Sequence, residues 1–346
     1  MTNSTISSPI PDHLDWKFAG KTLGSGGQGT VYVVYNAHDP NRTLRALKVL
    51  NENAPLKAKK RFQKEIQTVS QMFHPAIIKV HDYSQPHEEF QYLVMSYHEG
   101  AQTIEDLCLS DLILNPYHGD TLKCLDLFEK IIIAINACEK ANPPVYHRDI
   151  SPKNILVLPD ESIRLIDFGL CQTLDNNTTI TMTGENVGTR LYAPLECSAG
   201  SRFSIGTHTD IYSAAKILWS AITSRVALDR EADYQDHGSM REMFPNSETT
   251  WHLRRIFENT IQEDPANRDS KTATTLYRIR EVRLAVSGGY SPKETVALRC
   301  PSCGIRNVKP SQSPHHLFGQ FTTGRYSMSE CQECGFIIVR RYNPTN

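Results

Sequence analysis

The spacing of hydrophobic and polar residues changes several times along the chain, and each change marks an element. From Trp16 the chain reads as short β-rich runs. A first run ends at Lys21-Thr22-Leu23-Gly24, a glycine turn follows, and Thr30–Ala37 and Thr43–Leu50 continue the pattern. Valine, tyrosine and threonine favour pleated backbone, so these runs predict antiparallel strands. Between Lys57 and Met72 the period lengthens. Phe62, Ile66 and Val69 share one helical face among Lys59, Lys60, Arg61, Lys64 and Glu65, and the helix is expected to end before Pro75. Ile77–Tyr83 and Phe90–Tyr97 return to strand character. Beyond Glu99-Gly100 the helical period dominates, with Leu125, Phe128, Ile131, Ile132 and Ile135 on one face and later helices around Trp219–Ser224 and Trp251–Phe257.

The patterning therefore predicts an α+β chain in which a strand-rich lobe (16–96) precedes a larger helical lobe (97–285). Glycine and serine at Ser287-Gly288-Gly289 open a linker (286–297), and a separate small unit follows (298–343). Residues 1–15 carry neither period and are expected to form a disordered tail. With 39% hydrophobic and 22% charged residues, disorder, collagen and coiled coil are excluded as the main class. The net charge of -1 removes whole-chain attraction to nucleic acid or membrane as an argument. The start lacks a basic region followed by an apolar one, and the longest aliphatic stretch, near Ile131–Ile135, is far too short to span a bilayer. A cytoplasmic location without a membrane partner is the expectation, and nine unevenly spread cysteines do not suit a secreted disulfide framework.

Candidate chemistry begins at the glycine turn. Gly24-Ser25-Gly26-Gly27-Gln28-Gly29, then Thr30-Val31, fits G-x-G-x-x-G-x-V, in which missing side chains let backbone N–H groups approach a phosphate. A strand follows where a dinucleotide-binding loop needs a helix, so that alternative is disfavoured. Lys48 lies on the next strand in Arg45-Ala46-Leu47-Lys48, and Glu65 comes 17 residues later on the predicted helix. Further on stand His147-Arg148-Asp149, Asn154 five positions after the aspartate, and Asp167-Phe168-Gly169.

Taken together and in this order, these motifs resemble the eukaryotic-type protein kinase family over roughly residues 17–285. The resemblance implies a two-lobed kinase fold and an ATP-dependent enzyme that uses Mg²⁺ (or Mn²⁺) and acts on a protein substrate. It implies that Lys48, paired with Glu65, holds the phosphates and that Asp149 is the catalytic base. Asn154 and Asp167 would be the Mg²⁺ ligands, since a hard cation takes oxygen donors. Gly24, Gly26 and Gly29 would cover the phosphates. Val31, Ala46 and Leu156 would enclose the adenine, with Met95 as gatekeeper and Tyr97 in the hinge. His147, Phe168 and Val69 would form a hydrophobic stack between the lobes. Asp210 would hold the catalytic-loop backbone, and Glu196 would pair with Arg268 as scaffold.

Two positions depart from the family pattern. Ser151 stands where serine/threonine kinases carry lysine, leaving Lys153, four places after Asp149, as the nearest cation. Ala193-Pro194-Leu195-Glu196 replaces Ala-Pro-Glu. Thr189 still favours serine/threonine specificity. The threonines between Thr173 and Thr189, with Arg148 beside Asp149, suggest autophosphorylation of this segment. Cys171 is expected close to the nucleotide.

Near the C-terminus, Cys300-Pro301-Ser302-Cys303 and Cys331-Gln332-Glu333-Cys334 are separated by 27 residues and resemble a zinc ribbon. Four thiolates complete a tetrahedral Zn²⁺ shell, which argues for a closed structural site over a redox pair. His315 and His316 are left as loop residues. Arg299, Arg306, Lys309, Arg325, Arg340 and Arg341 with interleaved aromatics make the ribbon basic, so a protein or nucleic-acid partner is expected there. The rival readings are an ATP-binding pseudokinase or scaffold, a small-molecule kinase, and a nucleic-acid-binding ribbon regulated by the kinase. The first is disfavoured by the presence of Lys48, Glu65, Asp149, Asn154 and Asp167.

Overall fold

The computed structural model describes residues 9–26, 29–111, 113–173, 191–198, 200–228 and 239–288, and the strands within 308–341. The chain divides into two units, Met1–Gly288 and Gly289–Asn346.

In the first unit, β1 (Trp16–Ser25), β2 (Gly29–Asn36), β3 (Arg45–Leu50), β4 (Val80–Tyr83) and β5 (Tyr92–Ser96) form an antiparallel sheet in the order β1-β2-β3-β5-β4. Strand alternation decides where its side chains go. Leu47, paired with Val94, joins a buried cluster with Val34 and Trp16 on one face. Its neighbours Ala46 and Lys48 therefore face the other way, and Lys48 there meets Glu65 of the helix α1 (Leu56–Val69). That helix buries Phe62, Glu65, Ile66 and Val69, the face its spacing predicted with one carboxylate added.

The 1–15 tail needs correction over its described part. Ile10 is 3% exposed and packs with Leu14 and Trp16 on the outer face of the sheet. The indole N–H of Trp16 donates to Asp82 Oδ2 at 2.6 Å. Isolated apolar residues in a polar, proline-containing segment show no period, yet each finds a place against an apolar sheet face.

The helical lobe is built around α2 (Ile104–Cys108), α3 (Thr121–Glu139) and α4 (Thr207–Thr223). A reciprocal cap between Thr103 and Asp106 starts α2, and the Asp120 carboxylate accepts the Lys123 N–H to start α3. Apart from His208, every residue of α4 is buried, so it is apolar around most of its circumference and serves as the lobe's central post. Short helices α5 (Met240–Met243), α6 (Glu248–Trp251) and α7 (Arg254–Thr260) lead to α8 (Thr272–Ser287). This last helix runs past the 285 read from the sequence, since Gly288 forms its cap. Two smaller pieces carry the loops of the site: the sheet β6-β8-β9 (Gln102–Thr103, Ile155–Val157, Ile163–Leu165) and the ribbon of β7 (Val145–Tyr146) with β10 (Gln172–Thr173).

In the second unit, β11 (Val308–Pro310), β12 (Tyr326–Cys331) and β13 (Ile337–Arg341) form an antiparallel sheet, with Ser329 opposite Ile338 and Cys331 opposite Val308. Of the four cysteines expected to bind zinc, Cys331 ends β12, while Cys300, Cys303 and Cys334 lie outside the described residues. Among the described residues no helix is long and apolar enough to cross a membrane.

Candidate active site

Lys48 and Glu65 meet because β3 and α1 turn these residues toward each other. The Lys48 ammonium lies 2.8 and 2.9 Å from the two Glu65 oxygens and 3.2 Å from Asp167 Oδ1. Burial works against a charged lysine, but the carboxylates of Asp167 and Glu65 outweigh it and raise the ammonium's pKa above the ordinary value. Burial pushes the Glu65 carboxyl up to about 7, against the pull of Lys48. Burial also acts upward on Asp167, but Lys48 overcomes it and holds this carboxyl below its usual range. Their exposures grade the cluster: the Glu65 side chain is 3% exposed, Lys48 13% and Asp167 38%. The open side is at Asp167.

Asp149 and Asn154 sit on the loop between β7 and β8. The Asn154 amide donates to both the carbonyl and Oδ2 of Asp149 at 2.9 Å, which leaves the Asn154 Oδ1 as an acceptor. Asp149 Oδ1 is buried without a hydrogen bond. Burial, then the charge of Asp167, pushes the Asp149 carboxyl up to about 7, while Asn154 and Lys153 act downward. The Ser151 hydroxyl is likewise buried without a hydrogen bond, and Lys153 lies in the short turn Pro152–Asn154.

Two residues in this region, Arg148 at φ 66° and Asp167 at φ 62°, adopt the left-handed conformation that ordinarily favours glycine. Such backbone needs outside support. Asp210, on α4, accepts the His147 and Arg148 N–H groups at 2.8 Å each. His147 packs its ring against Phe168 at 4.7 Å between centroids, and its Nε2–H donates to the Ile166 carbonyl. Phe168 and Val69 both belong to the main core cluster, and the ring contact between His147 and Phe168 is the part of the expected stack that is seen directly.

The nucleotide-facing candidates cluster less tightly. Val31 stands opposite Lys48 and Ala46 opposite Met95 in the sheet, while Leu156 comes from β8 in the helical lobe. Tyr97 follows β5, and its hydroxyl accepts from Lys21 Nζ at 3.2 Å. At Gly29 a Cβ would lie 2.0 Å from the Val49 carbonyl oxygen, so packing alone demands glycine there. At Gly24 and Gly26 it would meet open space. Gly26 and Gly29 also close the turn through reciprocal backbone hydrogen bonds of 2.9 and 3.3 Å.

Cys171, expected beside the nucleotide, instead lies buried against α1, its thiol 3.3 Å from the Thr68 hydroxyl. The Arg268 guanidinium and Glu196 form the expected scaffold pair, both side chains fully buried, with the Thr209 hydroxyl donating to the same Glu196 oxygen at 3.1 Å. Sequence reading missed Lys216, which α4 buries within Ala214-Ala215-Lys216-Ile217-Leu218-Trp219. A single cation in an otherwise apolar helical run was the available signal.

The protein kinase domain family matches residues 19–278 of this chain. The chain is 27% identical over 286 residues to the serine/threonine-protein kinase PrkC of Bacillus subtilis, which covers 77% of this chain and 42% of PrkC. It is also 27% identical over 223 residues to PknB of Mycobacterium leprae, covering 62% of this chain and 33% of PknB. It thus spans less than half the length of these curated relatives. Among solved structures, the kinase domain of Mycobacterium tuberculosis PknI matches with a TM-score of 0.58 and 21% identity, over 80% of this chain and 99% of that one, and shares its two-lobed fold.

Proposed function

The chain belongs to the protein kinase family, and we propose that it transfers the γ-phosphoryl group of ATP to serine or threonine hydroxyls of a protein substrate. The observation that carries this reading is the graded cluster of Lys48, Glu65 and Asp167 beside an Asp149 whose Oδ1 is buried without a partner. Phosphoryl transfer asks mainly for positioning and charge neutralisation. Lys48, fixed by Glu65, places one cation on the phosphates. Asp167 Oδ2 and Asn154 Oδ1 are oxygen donors oriented by Lys48, Gly169 and Asp149 respectively, the donor set Mg²⁺ (or Mn²⁺) requires. The bound metal would neutralise charge on the phosphate oxygens.

Asp149 orients the acceptor hydroxyl through Oδ1 and takes its proton. Lys153 supplies the cation that Ser151 does not. Gly24, Gly26 and Gly29 keep the turn low over the phosphates, and Val31, Ala46, Met95, Tyr97 and Leu156 form the adenine site. The names of the relatives and Thr189 both favour serine/threonine acceptors, and the segment from Thr173 to Thr189 is proposed as a site of autophosphorylation.

For the second unit we propose a Zn²⁺ ribbon held by Cys300, Cys303, Cys331 and Cys334, docking a protein or nucleic-acid partner through its basic surface. The chemistry of four thiols in two matched pairs supports it, together with the strand that delivers Cys331. The proposed organisation is a kinase domain that takes in Ile10 and Leu14 on its sheet and ends with the helix to Ser287, then a linker up to 297 and a ribbon (298–343).

Incubation with Mg·ATP and casein, followed by mass-spectrometric phosphosite mapping, tests the enzyme. Wild-type protein should place phosphate on serine or threonine, and Lys48→Ala should not. Equal phosphate on both would remove Lys48 from the mechanism, and none on either would favour an ATP-binding scaffold. Chelation should release one zinc and unfold only the second unit; no zinc in the purified full chain would overturn the ribbon.

A further inference from the structure

Lys216 is 1% exposed, on the central helix α4. Its ammonium donates to the Leu191 carbonyl at 2.6 Å and to the Leu228 carbonyl at 2.8 Å, and it lies 4.9 Å from the centre of the Tyr212 ring. Arg268 lies over the same ring at 4.4 Å. Taking an ammonium out of water is costly, and a methionine of similar length would fill this space without that cost. What lysine adds is direction: one atom bonded to two backbone segments far apart in sequence.

The segment from Leu191 to Cys197 is fastened to α4 at two further points. Tyr192 and Ser220 share a hydrogen bond of 2.9 Å between hydroxyls, and Thr209 donates to Glu196. Residues 209, 216 and 220 recur at helical spacing and so share one face of α4. The same helix supports the catalytic loop, because Asp210 accepts the His147 and Arg148 N–H groups. Cys197, in the same segment, lies close enough to Arg148, the residue before Asp149, to feel its charge. One rigid helix thus sets the spacing between Asp149 and the 191–197 segment.

We propose that Lys216 is a positioning residue for the protein acceptor: its ammonium locks the 191–197 segment and the chain at Leu228 into one platform that presents the acceptor hydroxyl to Asp149. The inference rests on the kinase reading. It separates two tasks: nucleotide binding depends on the cluster around Lys48, and acceptor binding depends on α4. A Lys216→Met variant keeps the volume and removes the two bonds. Tyr192→Phe, which deletes one hydroxyl, is the milder companion should the first variant not fold.

The full chain and both variants would be compared in steady-state kinetics with casein and Mg·ATP, and in backbone hydrogen exchange. Lys216→Met should lower kcat/KM for casein by about 100-fold, the scale of a misplaced reacting group, with the KM for ATP unchanged. Tyr192→Phe should raise the casein KM in the same direction by less. Amides of Cys197 and Ser198, which donate to Pro194 and Leu195, should exchange faster in both variants. An unchanged casein kcat/KM in an active Lys216→Met enzyme would overturn the proposal. So would a matching rise in the KM for ATP, or unaltered exchange at Cys197 and Ser198. If Lys216→Met does not fold, an unchanged casein KM in Tyr192→Phe overturns it. Absence of phosphate transfer by the wild type would instead overturn the kinase reading, and this inference with it.

Discussion

Asp149 and Glu196 each keep one carboxylate oxygen buried without a hydrogen bond, yet they stand in very different surroundings. Asp149 is only partly buried as a residue and lies beside Asp167, the most open member of the Lys48 cluster. Glu196 is sealed: its side chain and that of its partner Arg268 are both fully buried, and Thr209 and Arg268 converge on one of its oxygens. An orphaned oxygen at a cleft is an opening for a ligand, while one inside a sealed pair is a cost the fold carries. The same contrast separates Lys48–Glu65 from Arg268–Glu196. Both are buried ion pairs, but only the first has a third carboxylate facing out.

The largest expected effect is on the sealed side. Arg268→Met leaves Glu196 as an uncompensated buried charge and should cost about 3–5 kcal/mol of stability. The Tm should fall by about 10 °C for a domain of this size, with ATP affinity unchanged below the transition. Equal losses of nucleotide affinity in Arg268→Met and Lys48→Met would break the comparison. On the open side, Lys48→Met should lower kcat by about 10²–10³ and cost less stability than Arg268→Met, because Asp167 keeps access to solvent and the Glu65 carboxyl, pushed up to about 7 by burial, can take up a proton.

A pH series sharpens the contrast further. Both ring nitrogens of His147 are used in its neutral form, Nε2–H toward the Ile166 carbonyl and Nδ1 receiving the Asp149 N–H at 3.3 Å. Burial, first of all, pushes its pKa down to about 4, below the ordinary 6.5. The unfolded chain therefore takes up this proton first. His147's contribution to stability is complete above pH 6.5 and is lost as pH falls toward 4, about 3 kcal/mol across the window. Replacing it by phenylalanine, which keeps the stack on Phe168, should flatten the acid limb of a stability–pH curve. The smallest effect belongs to Trp16→Phe. It removes the hydrogen bond to Asp82 and should cost about 1 kcal/mol without altering the KM for ATP.

Much of this was legible in the sequence because strand and helix periods act locally. The face carrying Phe62, Ile66 and Val69 follows from spacing alone, while the pairing of Lys48 with Glu65 was an implication of the kinase resemblance. What spacing does not encode is the partner chosen across a long loop. Cys171 gave no sign that it would meet Thr68, and Ile10 none that it would cover a sheet face. Lys216 was missed although it is a charge in an apolar helix, and its acceptors are backbone carbonyls, which every residue possesses and no pattern distinguishes. The left-handed turns at Arg148 and Asp167 were hidden for a related reason: neither residue is glycine, and the support that Asp210 gives Arg148 comes from 62 positions away in sequence.

Transfer from Mg·ATP to casein by Asp149→Asn, measured beside its nucleotide affinity, tests the central claim most directly. Asparagine keeps the shape and removes the proton acceptor. The account predicts wild-type Kd for Mg·ATP and a kcat lowered by at least about 100-fold. Transfer at the wild-type rate would contradict it, and would place the chemistry somewhere other than the partnerless oxygen of Asp149.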